Sequence, residues 1–180
     1  MAMVVVGGSG RGVGKTALVC GVIRTLPEFA WTAVKVTDHE HGLPEAIWED
    51  RGQAAGPETD TARYLAAGAR RAFLLAAEDE ELPHLLEELW ARLERDAHVI
   101  VESNRVLRYV RPDAFLAVRG DTDAAMKASL REVEGRVDAW VVSAERDGVA
   151  AGASPVFRLA RMEQISAELR EWLRAKLQQA

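Results

Sequence analysis

The chain is 180 residues long, 48% hydrophobic and 28% charged, ordinary proportions for one globular domain, expected here over residues 1–180. Its 23 basic and 28 acidic residues leave a net charge of −5, and with no basic run and no basic-aromatic interleaving a nucleic-acid partner is not expected. No apolar stretch approaches the ~18 residues of a membrane helix, and the apolar N-terminal segment is only a strand long with no basic region before it, so neither a membrane partner nor a leader is expected, and the cytoplasm is the expected compartment.

The first predicted element is the short apolar strand Met3 to Val6. It runs into Ser9-Gly10-Arg11-Gly12-Val13-Gly14-Lys15-Thr16, followed by the helical stretch Ala17 to Ile23. Strand, glycine-rich turn and helix in that order give the pattern G-x-x-x-x-G-K-[ST] its mechanism. Glycines let successive backbone N–H groups converge on phosphate oxygens, the helix N-terminus adds partial positive charge, and Lys15 adds a full charge near the β- and γ-phosphates. Thr16 is the expected Mg²⁺ ligand, and residues Ser9 to Ala17 are the expected nucleotide contacts. The first position of the pattern is Ser9 rather than glycine, although Gly7 and Gly8 stand just before it. A nucleoside triphosphate is therefore the expected ligand.

The chain then alternates apolar runs with helical patterns. Cys20, the only cysteine, excludes an internal disulfide and reads as packing on an apolar helix face. Strands are predicted at Trp31 to Thr37, Ala72 to Ala77, Val99 to Glu102, Ala114 to Val118, Val137 to Ser143 and Val156 to Leu159. Helices are predicted at Asp60 to Ala69, Glu81 to Arg95, Thr122 to Glu134 and Glu163 to Gln178. The alternation predicts an α/β fold of three layers, a mainly parallel sheet with helices on both faces. Between Asp38 and Thr59 lies the main irregular segment, rich in Gly, Pro and charge, and a loop of that length is usually functional or mobile.

Ligands in such folds bind outside the carboxyl ends of the strands, so the residues there are the candidates. Glu102 closes its strand facing the phosphate loop, as a holder of the Mg²⁺ shell or as a solvated terminus. Asp38 ends another strand beside His39, Glu40 and His41, a mixture that serves either a metal or phosphate contact or a polar surface loop. His84 and His98 have no partner visible in sequence and read as structural. Lys35 sits inside an apolar strand, where a buried ammonium requires an anionic partner or ligand.

Three segments together resemble the P-loop family of molybdopterin-guanine dinucleotide biosynthesis protein B. Asp60-Thr61-Ala62-Arg63-Tyr64-Leu65-Ala66-Ala67-Gly68-Ala69 is similar to its D-S-x-R-x-x-x-A-G-A element. Val34 to His39 resembles its strand ending in lysine and histidines, and Asp96 to Glu102 resembles its D-x-h-h-h-V-E-G segment. The resemblance runs from the N-terminus to about Arg119. It implies a P-loop NTPase fold and a homodimeric GTP-binding protein with weak hydrolysis, a partner of the enzyme that attaches GMP to molybdopterin. It also implies that Lys15 and Thr16 hold phosphate and Mg²⁺, that Glu102 is the metal-side acid, and that Asp60 and Arg63 belong to a second motif at the active face. Ser103-Asn104 departs from the family glycine, the histidine run is thinner, and Ser9 replaces the first loop glycine.

GTP follows from the resemblance, with ATP the alternative. Of the guanine-reading N/T-K-x-D pattern, Val118-Arg119-Gly120-Asp121 keeps only the aspartate and a basic residue, so Asp121 is either a base contact or a helix cap. Lys15, Glu102 and Arg63 are the candidate catalytic residues, and Thr16, Glu102 and Asp38 the candidate metal ligands. A small-molecule kinase or ATP-dependent ligase of the same P-loop group, and a nucleotide-gated adaptor, are the other functional classes.

Overall fold

The structure is a computed structural model that describes residues 2–38, 46–52, 59–94, 97–120, 126–146 and 153–179. Among these residues eight strands form one sheet: β1 (Met3–Gly8), β2 (Thr32–Thr37), β3 (Ala46–Asp50), β4 (Arg71–Ala76), β5 (Val99–Glu102), β6 (Ala114–Arg119), β7 (Ala139–Ser143) and β8 (Val156–Leu159). They lie in the order β3-β4-β2-β5-β1-β6-β7-β8. Every pairing is parallel except β3 against β4. The five helices among the described residues are α1 (Lys15–Thr25), α2 (Asp60–Ala66), α3 (Leu82–Arg92), α4 (Ala128–Arg131) and α5 (Ala167–Gln178).

Alternation along β1 assigns the two cores. Val4 and Val6 face α1, α2 and α5, where Leu18, Val22, Tyr64, Leu169 and Leu173 are fully buried. Val5 faces the opposite side, where α3 supplies Leu82, Leu86 and Leu89 and α4 supplies Leu130. A strand covered on both faces reads as a continuous apolar run, and all four residues of β5 are buried. Helices therefore cover both faces, the expected three layers.

Two helices are capped by side chains. Thr59 accepts a hydrogen bond from Ala62 N at 3.2 Å, and Ser166 accepts one from Leu169 N at 3.2 Å. Each satisfies an N–H that the first helical turn leaves open. The α1 N-terminus has no side-chain cap and starts from Gly14 at φ 97°.

Three expectations are corrected. The segment Asp38 to Thr59 is not irregular throughout, because Ala46–Asp50 forms β3 and pairs antiparallel with β4. Its half-buried Trp48 and Glu49 sit on an edge strand, where one neighbour suffices and the apolar signal is weak. Of the helix expected over Thr122 to Glu134, residues 122–125 lie outside the described residues, and the remainder holds only α4 and the start of a 3₁₀ turn at Glu134–Arg136, since Lys127 is extended at φ −52°, ψ 139°. Leu130 and Val133 are buried nonetheless. The helix expected from Glu163 starts four residues later, where Ser166 provides the cap.

Candidate functional site: the phosphate loop and its acidic floor

β1 sits between β5 and β6, and the chain leaves it through Ser9 to Gly14 into α1. Only Gly12 (φ 71°) and Gly14 (φ 97°) in this loop take the left-handed conformation that other residues avoid. At Gly14 the fit is tight as well: an added Cβ would lie 2.6 Å from Met162 Cγ. Lys15 curls back over the loop, its Nζ donating to Gly10 O at 2.7 Å. The N–H groups of the first turn of α1 thus point into a glycine-lined concavity, the arrangement that receives phosphate.

The two residues that depart from the family pattern brace the loop. Ser9 Oγ accepts from Gly120 N at 3.0 Å, while Ser9 N donates to Val118 O at 2.9 Å. Lys127 N donates to Ser9 O at 3.0 Å, so one residue ties the loop to the end of β6 and to the segment before α4. Asn104 grips Gly8 twice, accepting from Gly8 N at 2.8 Å and donating to Gly8 O at 3.0 Å. Its amide thereby acts as a strand partner for the last residue of β1. Gly7 admits this approach because it has no side chain: a Cβ there would come 2.3 Å from Asn104 Oδ1.

Below Lys15 lies an acidic cluster built from four elements. Glu102, at the end of β5, is 2% exposed and accepts three hydrogen bonds. Thr16 Oγ1 donates to Oε2 at 2.8 Å, Tyr64 OH donates to the same oxygen at 2.5 Å, and Lys35 Nζ donates to Oε1 at 2.5 Å. Lys35 also reaches Asp60 at 2.7 Å, and Asp60 stands 3.8 Å from Arg63. The anionic partner that a lysine in β2 requires is therefore a pair of carboxylates.

The charge states follow from this packing. Burial works against the Lys35 ammonium, but Glu102 and Asp60 outweigh it and its pKa is raised. Burial works against the Asp60 carboxylate, but Lys35 foremost, with Thr16 and Arg63, holds its pKa low. Burial, then the neighbouring Glu102, pushes the Tyr64 phenol well above its ordinary range. Lys15 goes the other way: burial lowers its pKa, Glu102 opposes, and Lys35 and Lys127 add to the lowering.

The donor set suits Mg²⁺ held jointly with phosphate oxygens. Thr16 gives its hydrogen to Glu102 and keeps its oxygen lone pairs for a cation. Glu102, with three donors already, is placed to act on metal-bound water rather than on the ion itself. No group of three or more His, Cys, Asp or Glu side chains among the described residues makes a metal site on its own. Asp38, the third expected ligand, pairs with Arg105 at 2.8 Å.

Two large clefts meet at the loop. One, of about 480 Å³, is lined by Gly12, Thr16, Ala17, Lys35, Asp60 and Arg63. The other, of about 470 Å³, lies between Gly12, Gly14 and Gly120 on one side and Ser143, Leu159 and Met162 on the other. The first gathers the residues expected to meet phosphate and metal. The second, at the carboxyl ends of β6, β7 and β8, has room for a nucleoside.

No family model and no curated protein matches the chain by sequence. Among solved structures, a MobB protein homolog from Bacillus stearothermophilus is similar over 100% of both chains, with a TM-score of 0.53 at 18% identity. LpxK from Aquifex aeolicus, solved in complex with ATP, is similar over 88% of this chain with a TM-score of 0.58 at 17% identity. The chain spans 53% of the length of that LpxK chain. The chain has the P-loop NTPase fold.

Within the P-loop fold, Lys15, Thr16, Glu102, Asp60 and Arg63 come together on one cleft, with Arg11 and Ala17 at its rim. Ser9, Gly10 and Val13 form the loop's own framework; a Cβ at Gly8 or Gly120 would lie 2.9 Å or 2.8 Å from Val13. Asp121, His39 and His41 lie outside the described residues. His98 Nδ1 accepts from Ala2 N at 3.0 Å and its ring packs edge-on against Phe29, a structural role at the opposite end of the sheet. His84 is exposed on α3, and Cys20 is buried, with its thiol pKa raised by that burial. Sequence reasoning did not single out Tyr64, Asn104 or Met162 for the site. Their signal is long-range packing, save that Asn104 belongs to the Ser103-Asn104 pair that departs from the family pattern. Among the described residues no helix is long and apolar enough to cross a membrane.

Proposed function

We propose that this protein binds a nucleoside triphosphate with Mg²⁺ and hydrolyses it slowly, as a GTP-binding accessory in the assembly of a molybdenum guanine dinucleotide cofactor. The observation that carries the nucleotide reading is the uncapped α1 N-terminus behind Gly12 and Gly14, with Lys15 folded over it and Thr16 bonded to a buried Glu102. Lys15 neutralises charge on the β- and γ-phosphates, and the first-turn N–H groups hold their oxygens. Bound Mg²⁺ supplies a further counter-charge to those oxygens. Thr16 holds the ion, and Glu102 orients Thr16 and the water around it. Arg63, 46% exposed at the mouth of the cleft, is free to reach phosphate or a second copy of the chain.

Slow turnover follows from the carboxylates. Glu102 already accepts from three donors including the Lys35 ammonium, Asp60 is neutralised by Lys35, and Asp38 by Arg105. Among the described residues none of these is free to take a proton from water. The cofactor-assembly reading and the homodimer draw on the sequence resemblance and on the full-length likeness to the MobB protein homolog. Phosphotransfer to a small acceptor is the second reading, favoured by the likeness to LpxK, solved with ATP.

Calorimetric titration with GTP and ATP, each with and without Mg²⁺, tests the proposal. Binding of GTP in preference to ATP, strengthened by Mg²⁺, is the expected result, and ATP preference transfers weight to the second reading. Glu102→Gln should abolish most Mg²⁺-dependent hydrolysis while metal-free binding survives. Binding of neither triphosphate overturns the nucleotide reading.

A further inference from the structure

A third cleft, of about 140 Å³, opens beside Lys15 against Gly8, Ser103, Asn104, Lys127 and Ser129. It shares Arg11, Lys15, Lys35, Thr37 and Glu102 with the phosphate cleft, but Gly12, Gly14 and Thr16 line the phosphate cleft and not this one. Its volume admits a tetrahedral oxyanion with a water or two, at about 30 Å³ per water, and excludes a nucleoside.

Three of its polar side chains keep donor capacity. Ser103 Oγ accepts from Arg105 N at 3.0 Å and Val106 N at 3.3 Å, so its hydroxyl hydrogen remains to be given. Ser129 Oγ accepts from Asn104 Nδ2 at 3.2 Å and is in the same position. Lys127 has no carboxylate partner among the described residues, and its backbone N–H, bonded to Ser9 O at 3.0 Å, fixes it beside the loop. Both carboxylates of the cleft are already engaged, Asp38 by Arg105 and Glu102 by Thr16, Tyr64 and Lys35. Lys127 and Lys15 line this cleft together.

We infer that this cleft is a second oxyanion subsite, in which Lys127, Ser103 and Ser129 hold the phosphate group of a small organic ligand while a triphosphate occupies the loop. The inference rests on the triphosphate reading above and extends it with a second ligand class.

The test is calorimetry on the full chain, saturated with Mg²⁺ and a non-hydrolysable β,γ-imido triphosphate, using inorganic phosphate and methyl phosphate as probes. Both probes should bind with the triphosphate in place. Lys127→Ala should weaken both by roughly tenfold or more, the scale for losing a charged hydrogen bond, and Lys127→Arg should restore most of the loss. Triphosphate affinity, titrated separately, should change by less than about threefold on the scale of a neighbouring screened charge. Probe binding only when the γ-phosphate is missing identifies the cleft as the γ-phosphate position and overturns the inference. Binding of inorganic phosphate but not of methyl phosphate overturns it too, leaving a site for released phosphate. So does an unchanged probe affinity in Lys127→Ala. If the parent chain fails to bind the triphosphate in its own titration, the nucleotide reading falls first and separately.

Discussion

Tyr64 and Glu102, from α2 and the end of β5, meet in the interior with the phenol donating to Oε2 at 2.5 Å. The phenol is fully buried and the carboxylate 2% exposed, so neither has water to replace the other. A buried carboxylate persists only where its lone pairs are filled, and Tyr64 fills one while Thr16 and Lys35 fill others.

Tyr64→Phe keeps the ring packing and deletes that donor. The cost should be about 2 kcal/mol, in the range for a hydrogen bond to a charged group. Urea unfolding measures it, and a loss below about 0.5 kcal/mol would mean that the hydroxyl contributes little to holding the Glu102 carboxylate. Mg²⁺-dependent hydrolysis should fall with it, because Thr16 shares the same carboxylate oxygen.

Lys15→Ala should reduce triphosphate affinity by about 2 kcal/mol, roughly 30-fold, with little change in melting temperature. Lys15 bonds only to the loop carbonyl of Gly10, so the core does not depend on it. Unchanged affinity in titration calorimetry would sink the phosphate-loop reading.

Much of this was legible in the chain itself. The phosphate loop announced itself because its glycines, Lys15 and Thr16 are adjacent in sequence. Parallel strands such as Val99–Glu102 were legible because burial on both faces makes them uniformly apolar. β3 was missed because an edge strand buries only part of each residue. Lys35 carried a readable demand for an anion, but nothing local says that the answer is Glu102, 67 positions away, together with Asp60. Tyr64 reads as ordinary helix core, since sequence periodicity locates a ring and not the acceptor of its hydroxyl.

Stability should respond to acid through Asp60. Its folded pKa is depressed by Lys35, so its contribution is present above the unfolded value of about 3.9 and is lost as pH falls through the lower folded value. Asp60→Asn should therefore be less stable than the parent at pH 6, with the difference shrinking below about pH 4 as the parent's carboxylate protonates. Denaturant midpoints of both proteins between pH 6 and pH 3 check this. A difference that stays constant over that range would show that the Lys35 pair adds nothing through charge.

Arg63→Ala separates a surface ion pair from a role at the site. Its 3.8 Å contact with Asp60, both side chains partly exposed, accounts for only about 0.3–0.5 kcal/mol. Hydrolysis or self-association should fall well beyond that, by roughly tenfold, or about 1.4 kcal/mol. Parent-like turnover and sedimentation would leave Arg63 as a surface residue.

The sheet's strand order also sets the timetable on which the protein is assembled during synthesis. β1 lies between β5 and β6, with Met3 paired to Val99 and Gly8 to Val118. A strand translated early therefore waits, both edges open, until most of the chain has left the ribosome, and contacts of such long range form slowly. The phosphate loop waits with it, because Gly8 is gripped by Asn104, Ser9 by Gly120, and Gly14 is walled by Met162. A nascent chain lacking the segment that contains Met162 has an incomplete binding concavity. On the triphosphate reading proposed above, nucleotide capture should therefore await translation past that point and closure of the sheet.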